Sequence, residues 1–288
     1  VLATAPVSFA GAGDGETPQN IELLTRAETA YRRGQYAVAV QYSTTLIEQD
    51  SRLPEAFRLR ARAHEALGEF ERAVADLDRA IELAPENPDG YQARGQVQFK
   101  AGNVRASIDD FDRYLRLRPE SKPHHWQRGI SYYYAGEYEN GVKQFELHKT
   151  VNPEDVENAV WHFLCKACVD GMEKARTALI RITSDRRPWA MTVYRMYQGK
   201  VTPGEALAHA ERVSETEAEP RRSLFYTHLY VGLYHEAMGQ AERAREHIRI
   251  AVEKYPSPHY MGDVARVHLQ IVYSPRSTQS ACPGTKEK

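Results

Sequence analysis

The stretch PEAFRLRARAHEALGEFERAVADLDRAIELAPEN, from Pro54 to Asn87, decides the fold, because the chain repeats its skeleton every 34 residues. Three residue types follow this interval: glycines at Gly34, Gly68, Gly102, Gly136 and Gly204, arginines at Arg26, Arg60, Arg94 and Arg128, and prolines at Pro85, Pro119 and Pro153. A fixed period of this size predicts stacked units that bury their apolar faces against one another.

Each unit predicts a helix, a short turn and a second helix. In the quoted stretch Pro54 suits a first helical turn, where its missing N–H has no cost. Gly68 can adopt the left-handed conformation that ends a helix, and Pro85 prevents continuation of the second helix. Apolar residues recur at helical spacing on both sides of Gly68.

The repeat resembles the tetratricopeptide repeat. The residues that carry the resemblance are large apolar side chains (Phe57, Tyr91), arginine followed by a small residue (Arg60-Ala61, Arg94-Gly95, Arg128-Gly129), the central glycine, an aromatic residue two positions later (Tyr36, Phe70, Tyr138) and a closing proline. The resemblance implies an all-α solenoid, a right-handed superhelix of antiparallel helix pairs with a concave groove. Four regular units are predicted across residues 20–155.

The second half predicts degenerate repeat-like helices at 156–222, then a final repeat with a C-terminal capping helix at 223–272. The segments AVWHFLCKA, PWAMTVYRMYQGKVTPGEAL and LFYTHLYVGLYHEAMGQAERAREHIRIAVE are similar to the C-terminal half of NlpI-type bacterial repeat lipoproteins. That resemblance implies an envelope-associated, often dimeric adaptor that brings proteases or peptidoglycan hydrolases together. The chain departs from that family in showing no lipid-acceptor cysteine near Val1, which leaves anchoring open.

Composition narrows the functional classes. A net charge of −1 gives no general attraction to phosphate backbones, so we predict no nucleic-acid partner. No apolar run is long enough to span a bilayer. The three cysteines are too few for a disulfide framework and leave the redox compartment undecided.

The composition of the two ends of the chain predicts disorder at residues 1–19 and 273–288. The small-x-small pattern Ser8-Phe9-Ala10 fits either the end of a secretory signal or an alanine-rich leader. We expect an extracytoplasmic location, periplasmic or envelope-associated, slightly more than a cytoplasmic one.

The resemblance places a partner-binding groove on one face of each first helix. In this sequence the face corresponds to Tyr31, Arg58, Arg62, Gln92, Gln96, Phe99, Lys100, Trp126, Ile130, Tyr133 and Tyr134. Aromatic residues beside arginine dominate binding hot spots, so a peptide with an apolar anchor and acidic residues would fit. Glu28 on the same face excludes the carboxylate clamp of chaperone-binding repeats.

For some of these aromatic residues core packing is the competing interpretation. Tyr132 falls at a helix–helix core position, whereas for Trp126 and Tyr133 binding and packing stay equally open. The arginine ladder is interpreted as structural, with Asp76 and Asp110 as partners that orient packed helices.

His162, Cys165 and Cys168 form an H-x-x-C-x-x-C pattern on one predicted helix. Histidine and cysteine are zinc ligands, but the sequence offers no fourth ligand and no strand–helix context for redox chemistry. Cysteines in an apolar helix most often pack in a core.

These observations predict a non-catalytic adaptor without a cofactor, which binds protein or peptide partners and can form a homodimer. Two alternatives stay open: a metal- or redox-active protein that uses the histidine–cysteine helix, and a purely self-assembling repeat protein.

Overall fold

The computed structural model describes residues 17–214 and 221–273, and their regular structure consists of helices. The all-α class predicted from the sequence is confirmed. The chain divides into two compact units, with the boundary between Val97 and Gln98. Most of the predicted disordered leader and tail lies outside the described residues.

Unit 1 contains two complete helix pairs and the start of a third. Its helices are α1 (Pro18–Arg32), α2 (Tyr36–Gln49), α3 (Pro54–Ala66), α4 (Phe70–Leu83) and the first part of α5 (Pro88–Lys100). Helix α1 packs against α2, α2 against α3, and α3 against α4. The repeat phase read from the sequence therefore gives the correct order of helices and turns.

Glycine makes the turns of unit 1 possible. Gly68 has φ +76°, in the left-handed region that other residues rarely adopt. After this turn the N–H of Glu69 donates to the carbonyl oxygen of His64 at 2.9 Å, which closes the end of α3. Gly34 has φ +72° at the equivalent position.

Small residues let the helices of unit 1 approach closely. Ala27, Ala39, Ala61 and Ala73 are completely or almost completely buried. The core of this unit consequently consists of small aliphatic clusters, such as the one formed by Ala61, Ala73, Leu77 and Val97.

Within the described residues, unit 2 contains the end of α5 and ten further helices. They are α6 (Val104–Leu117), α7 (Trp126–Ala135), α8 (Tyr138–Lys149), α9 (Val156–Asp170), α10 (Met172–Thr177), α11 (Ala190–Tyr197), α12 (Pro203–Ser214), α13 (Arg222–Ala237), α14 (Ala241–Glu253) and α15 (Tyr260–Val272). A 3-10 helix at Pro119–His124 precedes α7. Its two prolines, Pro119 and Pro123, lack the N–H that a continuous α-helix needs.

The core of unit 2 is aromatic. Trp161, Trp189, Tyr197, Tyr230 and Phe163 are buried in one continuous cluster. Glycine makes room for large neighbours within it: a Cβ added to Gly129 would lie 2.6 Å from the Phe145 ring, and one added to Gly232 would lie 2.5 Å from Ile248.

The segment between α10 and α11 interrupts the repeat-like helices predicted at 156–222, because α10 ends at Thr177. Side chains replace helical hydrogen bonds here. The backbone N–H groups of Thr183 and Ser184 donate to the Glu154 carboxylate at 2.7 and 3.1 Å. The N–H of Ile182 donates to the Tyr194 hydroxyl at 3.2 Å. These bonds fix the position of the segment against α9 and α11.

Gly204 also departs from the repeat lattice, since it lies inside α12 and the left-handed turn occurs earlier, at Gly199 with φ +76°. Across the described ranges, no helix combines the length and apolar character that crossing a membrane requires.

Candidate partner-binding face

The accessible part of the predicted groove lies in unit 1. We call it the unit 1 face and define it by Tyr31, Arg58, Arg62, Gln92 and Gln96. All five side chains are half-buried or exposed, so they keep contact with solvent. They come from α1, α3 and α5, which are the first helices of their repeats.

Arg62 is the best-defined cation on this face. Its guanidinium lies 4.3 Å from the centre of the Tyr31 ring, which is a cation–π contact. Its Nη1 donates to Glu28 Oε2 at 3.0 Å, and 44% of the side chain stays exposed. Tyr31 and Glu28 therefore hold the arginine in place while leaving it open to a partner.

Four of the six remaining predicted groove residues are buried. Phe99, Ile130, Tyr133 and Tyr134 are buried in the aromatic core of unit 2. Burial removes them from any open surface, so the expectation that they line an accessible groove is corrected. Tyr133 therefore packs in the core instead of facing a partner. Tyr132 is also buried, as expected of a core residue.

Helix α15 covers this part of the first-helix face. Tyr260 stacks on Phe99 with ring centres 5.6 Å apart and meets the Trp126 ring edge-on at 5.2 Å. Asp263 Oδ2 lies 3.0 Å from Lys100 Nζ. The capping helix thus occupies the face with an aromatic anchor and an acidic residue, and Trp126 stays half-buried beside it.

A buried polar chain fixes the other end of α15. The Tyr134 hydroxyl lies 3.0 Å from Nδ1 of His268, and Nε2 of the same ring lies 2.5 Å from Glu236 Oε2. His268 and Glu236 are almost inaccessible to solvent. This network orients α15 against α7 and α13.

The arginine ladder is largely structural, as predicted. Arg60 donates to both oxygens of Asp76, at 2.9 and 2.7 Å, and Arg94 donates to Asp78 at 2.6 Å. In unit 2, Arg128 occupies the equivalent position, where it contacts Asp112 at 2.7 Å and Gln144 at 2.7 Å.

Arg26 is the exception to the ladder. It is more than half exposed and pairs with Glu22 one turn earlier on its own helix. The residue 34 positions before Asp76 is Tyr42, so this unit offers no carboxylate at the position that Arg60 uses. The expected interior position of Arg26 is therefore corrected.

The structure does not bring the histidine–cysteine helix together with further metal ligands in the part of the chain that it describes. Among the described residues, no group of three histidine, cysteine or acidic side chains is arranged to hold a metal ion. His162, Cys165 and Cys168 fan out over about 120° of α9, because successive residues turn by about 100°. Burial raises the pKa of the Cys165 thiol, which packs against Gly141 and stays unreactive.

Sequence reasoning missed a charged cluster at the start of α9. Arg187 donates to Asp155 and Asp185 and also contacts Glu157, which accepts a hydrogen bond from the Tyr230 hydroxyl at 2.6 Å. The charge of Arg187, opposite to that of Asp155 and Glu157, is the signal in the sequence that could have found it. The cluster joins the extended segment to α9.

Comparisons with known proteins identify similar repeats and similar folds. The family described as TPR repeat matches residues 61–102, and no curated protein matches the sequence. A tetratricopeptide repeat protein from Parabacteroides merdae ATCC 43184 is similar in structure, with a TM-score of 0.58 and 18% identity over 88% of this chain and 100% of that chain.

Two structures of MamA are similar as well. One has a TM-score of 0.52 and 14% identity, covering 69% of this chain and 96% of its own. The other, MamA 41-end from Desulfovibrio magneticus RS-1, has a TM-score of 0.52 and 17% identity, covering 56% and 91%. The matched repeat and these folds confirm the tetratricopeptide-repeat fold. The resemblance of the second half to NlpI-type lipoproteins stays a prediction.

Proposed function

We propose that this protein is a non-catalytic scaffold that binds protein or peptide partners through the unit 1 face. The observation that carries the proposal is Arg62, which Tyr31 and Glu28 hold in an exposed position. Arginine and tyrosine are enriched in binding hot spots because they offer a large contact area together with directed hydrogen bonds. The tetratricopeptide-repeat fold supports the same class of function.

The chain itself supplies an example of a suitable ligand. Helix α15 covers the first-helix face of unit 2 with Tyr260 against Phe99 and with Asp263 beside Lys100. A partner for the unit 1 face would use the same chemistry: an apolar or aromatic anchor, and a carboxylate near Arg58 or Arg62. Gln92 and Gln96 add hydrogen-bonding groups for a peptide backbone.

A matched pair of charge reversals tests the proposal. Arg62→Glu should abolish capture of partners from a native extract of the source cells, and Arg79→Glu should not. The two arginines have 44% and 45% exposed side chains and one acidic neighbour each, but Arg79 lies on the second helix α4. Cross-linking with quantitative mass spectrometry measures the recovered partners.

Equal recovery of partners by Arg62→Glu and by the unsubstituted protein would overturn the proposal. Equal loss with both variants would also overturn it, because a general charge effect would then explain the binding. Far-UV circular dichroism of both variants shows that the comparison is made between folded proteins.

The finer form of the proposal is an extracytoplasmic adaptor for proteases or peptidoglycan hydrolases, which functions as a homodimer. Its support is the resemblance of the second half to NlpI-type lipoproteins. Fractionation of cells that make the full-length protein, followed by light scattering of the purified chain, tests it. A cytoplasmic location would overturn the envelope role, and a monomeric mass at high concentration would overturn the dimer.

A further inference from the structure

A second candidate site lies in unit 2, in a cavity of about 900 Å³ between α10, the turn before α12 and the α13–α14 hairpin. We call it the basic cavity. Three cations line it: Arg176 from α10, Lys200 from the turn and Arg243 from α14. None of the residues of the unit 1 face contributes to it.

These three cations differ from most arginines described above, because none of them forms an ion pair within the described residues. Arg176 is half-buried, and its Nη2 donates to the Tyr234 hydroxyl at 2.9 Å. Its Nε is buried without a hydrogen-bond partner. A buried donor on a charged group is costly to leave unsatisfied, which favours an anion beside it.

Two carboxylates also line the cavity, and one of them is already engaged. Glu205 accepts hydrogen bonds from the N–H and the hydroxyl of Thr202 at 2.7 and 2.9 Å, which lowers its pKa. Glu246 lies on α14 near His247. With neutral histidines, the three cations and two carboxylates give the side chains that line the cavity a net positive charge.

The histidines of the cavity are good reporters of a bound ion. The rings of His235 and His247 stack with centres 5.6 Å apart, and burial lowers the pKa of both. His235 Nδ1 lies 2.6 Å from Gln240 Oε1, so this nitrogen carries the proton. An anion bound near Arg243 would change the environment of both rings.

We propose that the basic cavity binds an oxyanion, either a carboxylate or a phosphate, between Arg176, Lys200 and Arg243. Guanidinium groups suit this role because their N–H groups form paired, charge-assisted hydrogen bonds with such anions. Tyr234, Gln198 and Gln240 supply further polar contacts on the wall of the cavity. The ion comes either free from solution or as an acidic group of a partner chain.

Calorimetric titration of the full chain with inorganic phosphate and with glutarate, at constant ionic strength, tests the site. We expect saturable binding, together with shifts of the His235 and His247 ring signals in NMR spectra. Arg176→Gln, Lys200→Gln and Arg243→Gln should each weaken binding about tenfold, as loss of one charge-assisted hydrogen bond predicts. Should Arg176→Gln fail to fold, the exposed Lys200 and Arg243 still test the proposal.

Arg249→Gln is the matched control, because Arg249 lies on the same helix as Arg243 but does not line the cavity and pairs with Glu253. It should leave binding unchanged. An absence of saturable binding, or equal weakening by Arg243→Gln and Arg249→Gln, would overturn the proposal.

A third titration with a hexaglutamate peptide distinguishes the two sources of the anion. Tighter binding of the peptide than of glutarate, weakened by Arg243→Gln, assigns the cavity to an acidic group on a partner chain. Binding of phosphate or glutarate without this gain assigns it to a free ion.

Discussion

Asp76 and Asp78 each pair with an arginine of the ladder, but the two aspartates differ in exposure. The Asp76 side chain, which binds Arg60 through both oxygens, is 8% exposed, whereas the Asp78 side chain beside Arg94 is 50% exposed. A buried partner leaves an uncompensated charge when it is removed, while water replaces an exposed one. The two aspartates therefore have unequal energetic roles.

Asp76→Ala should lower the free energy of unfolding by about 2–4 kcal/mol, because Arg60 would then be left partly buried without its carboxylate. Asp78→Ala should lower it by about 1 kcal/mol or less. Urea denaturation of both variants measures the difference. Equal losses would show that burial of the carboxylate does not set the strength of these pairs.

Glu157 should give the protein an unusual dependence on pH. Burial raises its pKa from 4.5 to about 7, although the charge of Arg187 opposes the shift. Between these values the folded state keeps a proton that the unfolded state has lost, so the contribution of Glu157 to stability falls as pH rises. Glu157→Gln removes that loss, and its stability relative to the unsubstituted protein should rise from about pH 5 to about pH 8.

Glu154→Gln is the contrasting variant for urea denaturation at the two pH values. Hydrogen bonds from Thr183 and Ser184 lower the pKa of Glu154, so its contribution is present above pH 4.5 and is lost as pH falls further. Glu154→Gln should therefore be destabilising at both pH values. A constant difference between Glu157→Gln and the unsubstituted protein would contradict the raised pKa.

At the scale of helices, the sequence predicts the turns and helices that depend on the local repeat period. It does not predict burial that depends on contacts between residues far apart in the chain. The turns at Gly34 and Gly68 and the presence of the capping helix α15 follow from patterns within one unit. The burial of Phe99 follows from Tyr260, which lies far along the chain, and no local signal reports that contact. The sequence pattern of a first helix is the same whether its exposed face binds a partner or is covered by another helix of the chain.

The glycines within helices give a second test at this scale. A Cβ at Gly232 would lie 2.5 Å from Ile248 Cγ1 and 3.1 Å from the Ala244 carbonyl oxygen, so α13 and α14 would have to separate. Gly232→Ala should therefore cost about 1–3 kcal/mol of stability, as overpacking does. At Gly204, in the first turn of α12, the nearest atom would be 4.0 Å away.

Gly204→Ala is thus the matched control, and it should be neutral or stabilise the protein by up to about 1 kcal/mol through helix propensity. Thermal and urea denaturation of the two variants provide the comparison. A stability of Gly232→Ala equal to that of the unsubstituted protein would show that α13 and α14 can move apart without cost.

For the molecule as a whole, the two units have different kinds of core. Unit 1 buries mainly alanines and small aliphatic side chains, whereas unit 2 buries a continuous aromatic cluster. Large aromatic side chains bury more apolar area per residue than alanine, so unit 2 has the larger hydrophobic stabilisation. In repeat proteins, in which each repeat contacts its neighbours, such a difference can separate the unfolding of the parts.

All three tryptophans, Trp126, Trp161 and Trp189, belong to unit 2, so their fluorescence reports that unit alone, while far-UV circular dichroism reports the helices of both. We expect the dichroism signal to decline at lower urea concentration than the fluorescence signal. Leu77→Ala, which opens a cavity in the core of unit 1, should move the early dichroism change to still lower urea and leave the fluorescence midpoint in place. Coincident transitions in both proteins would instead show that the two cores unfold as one cooperative structure, because two-state unfolding makes every probe follow the same curve.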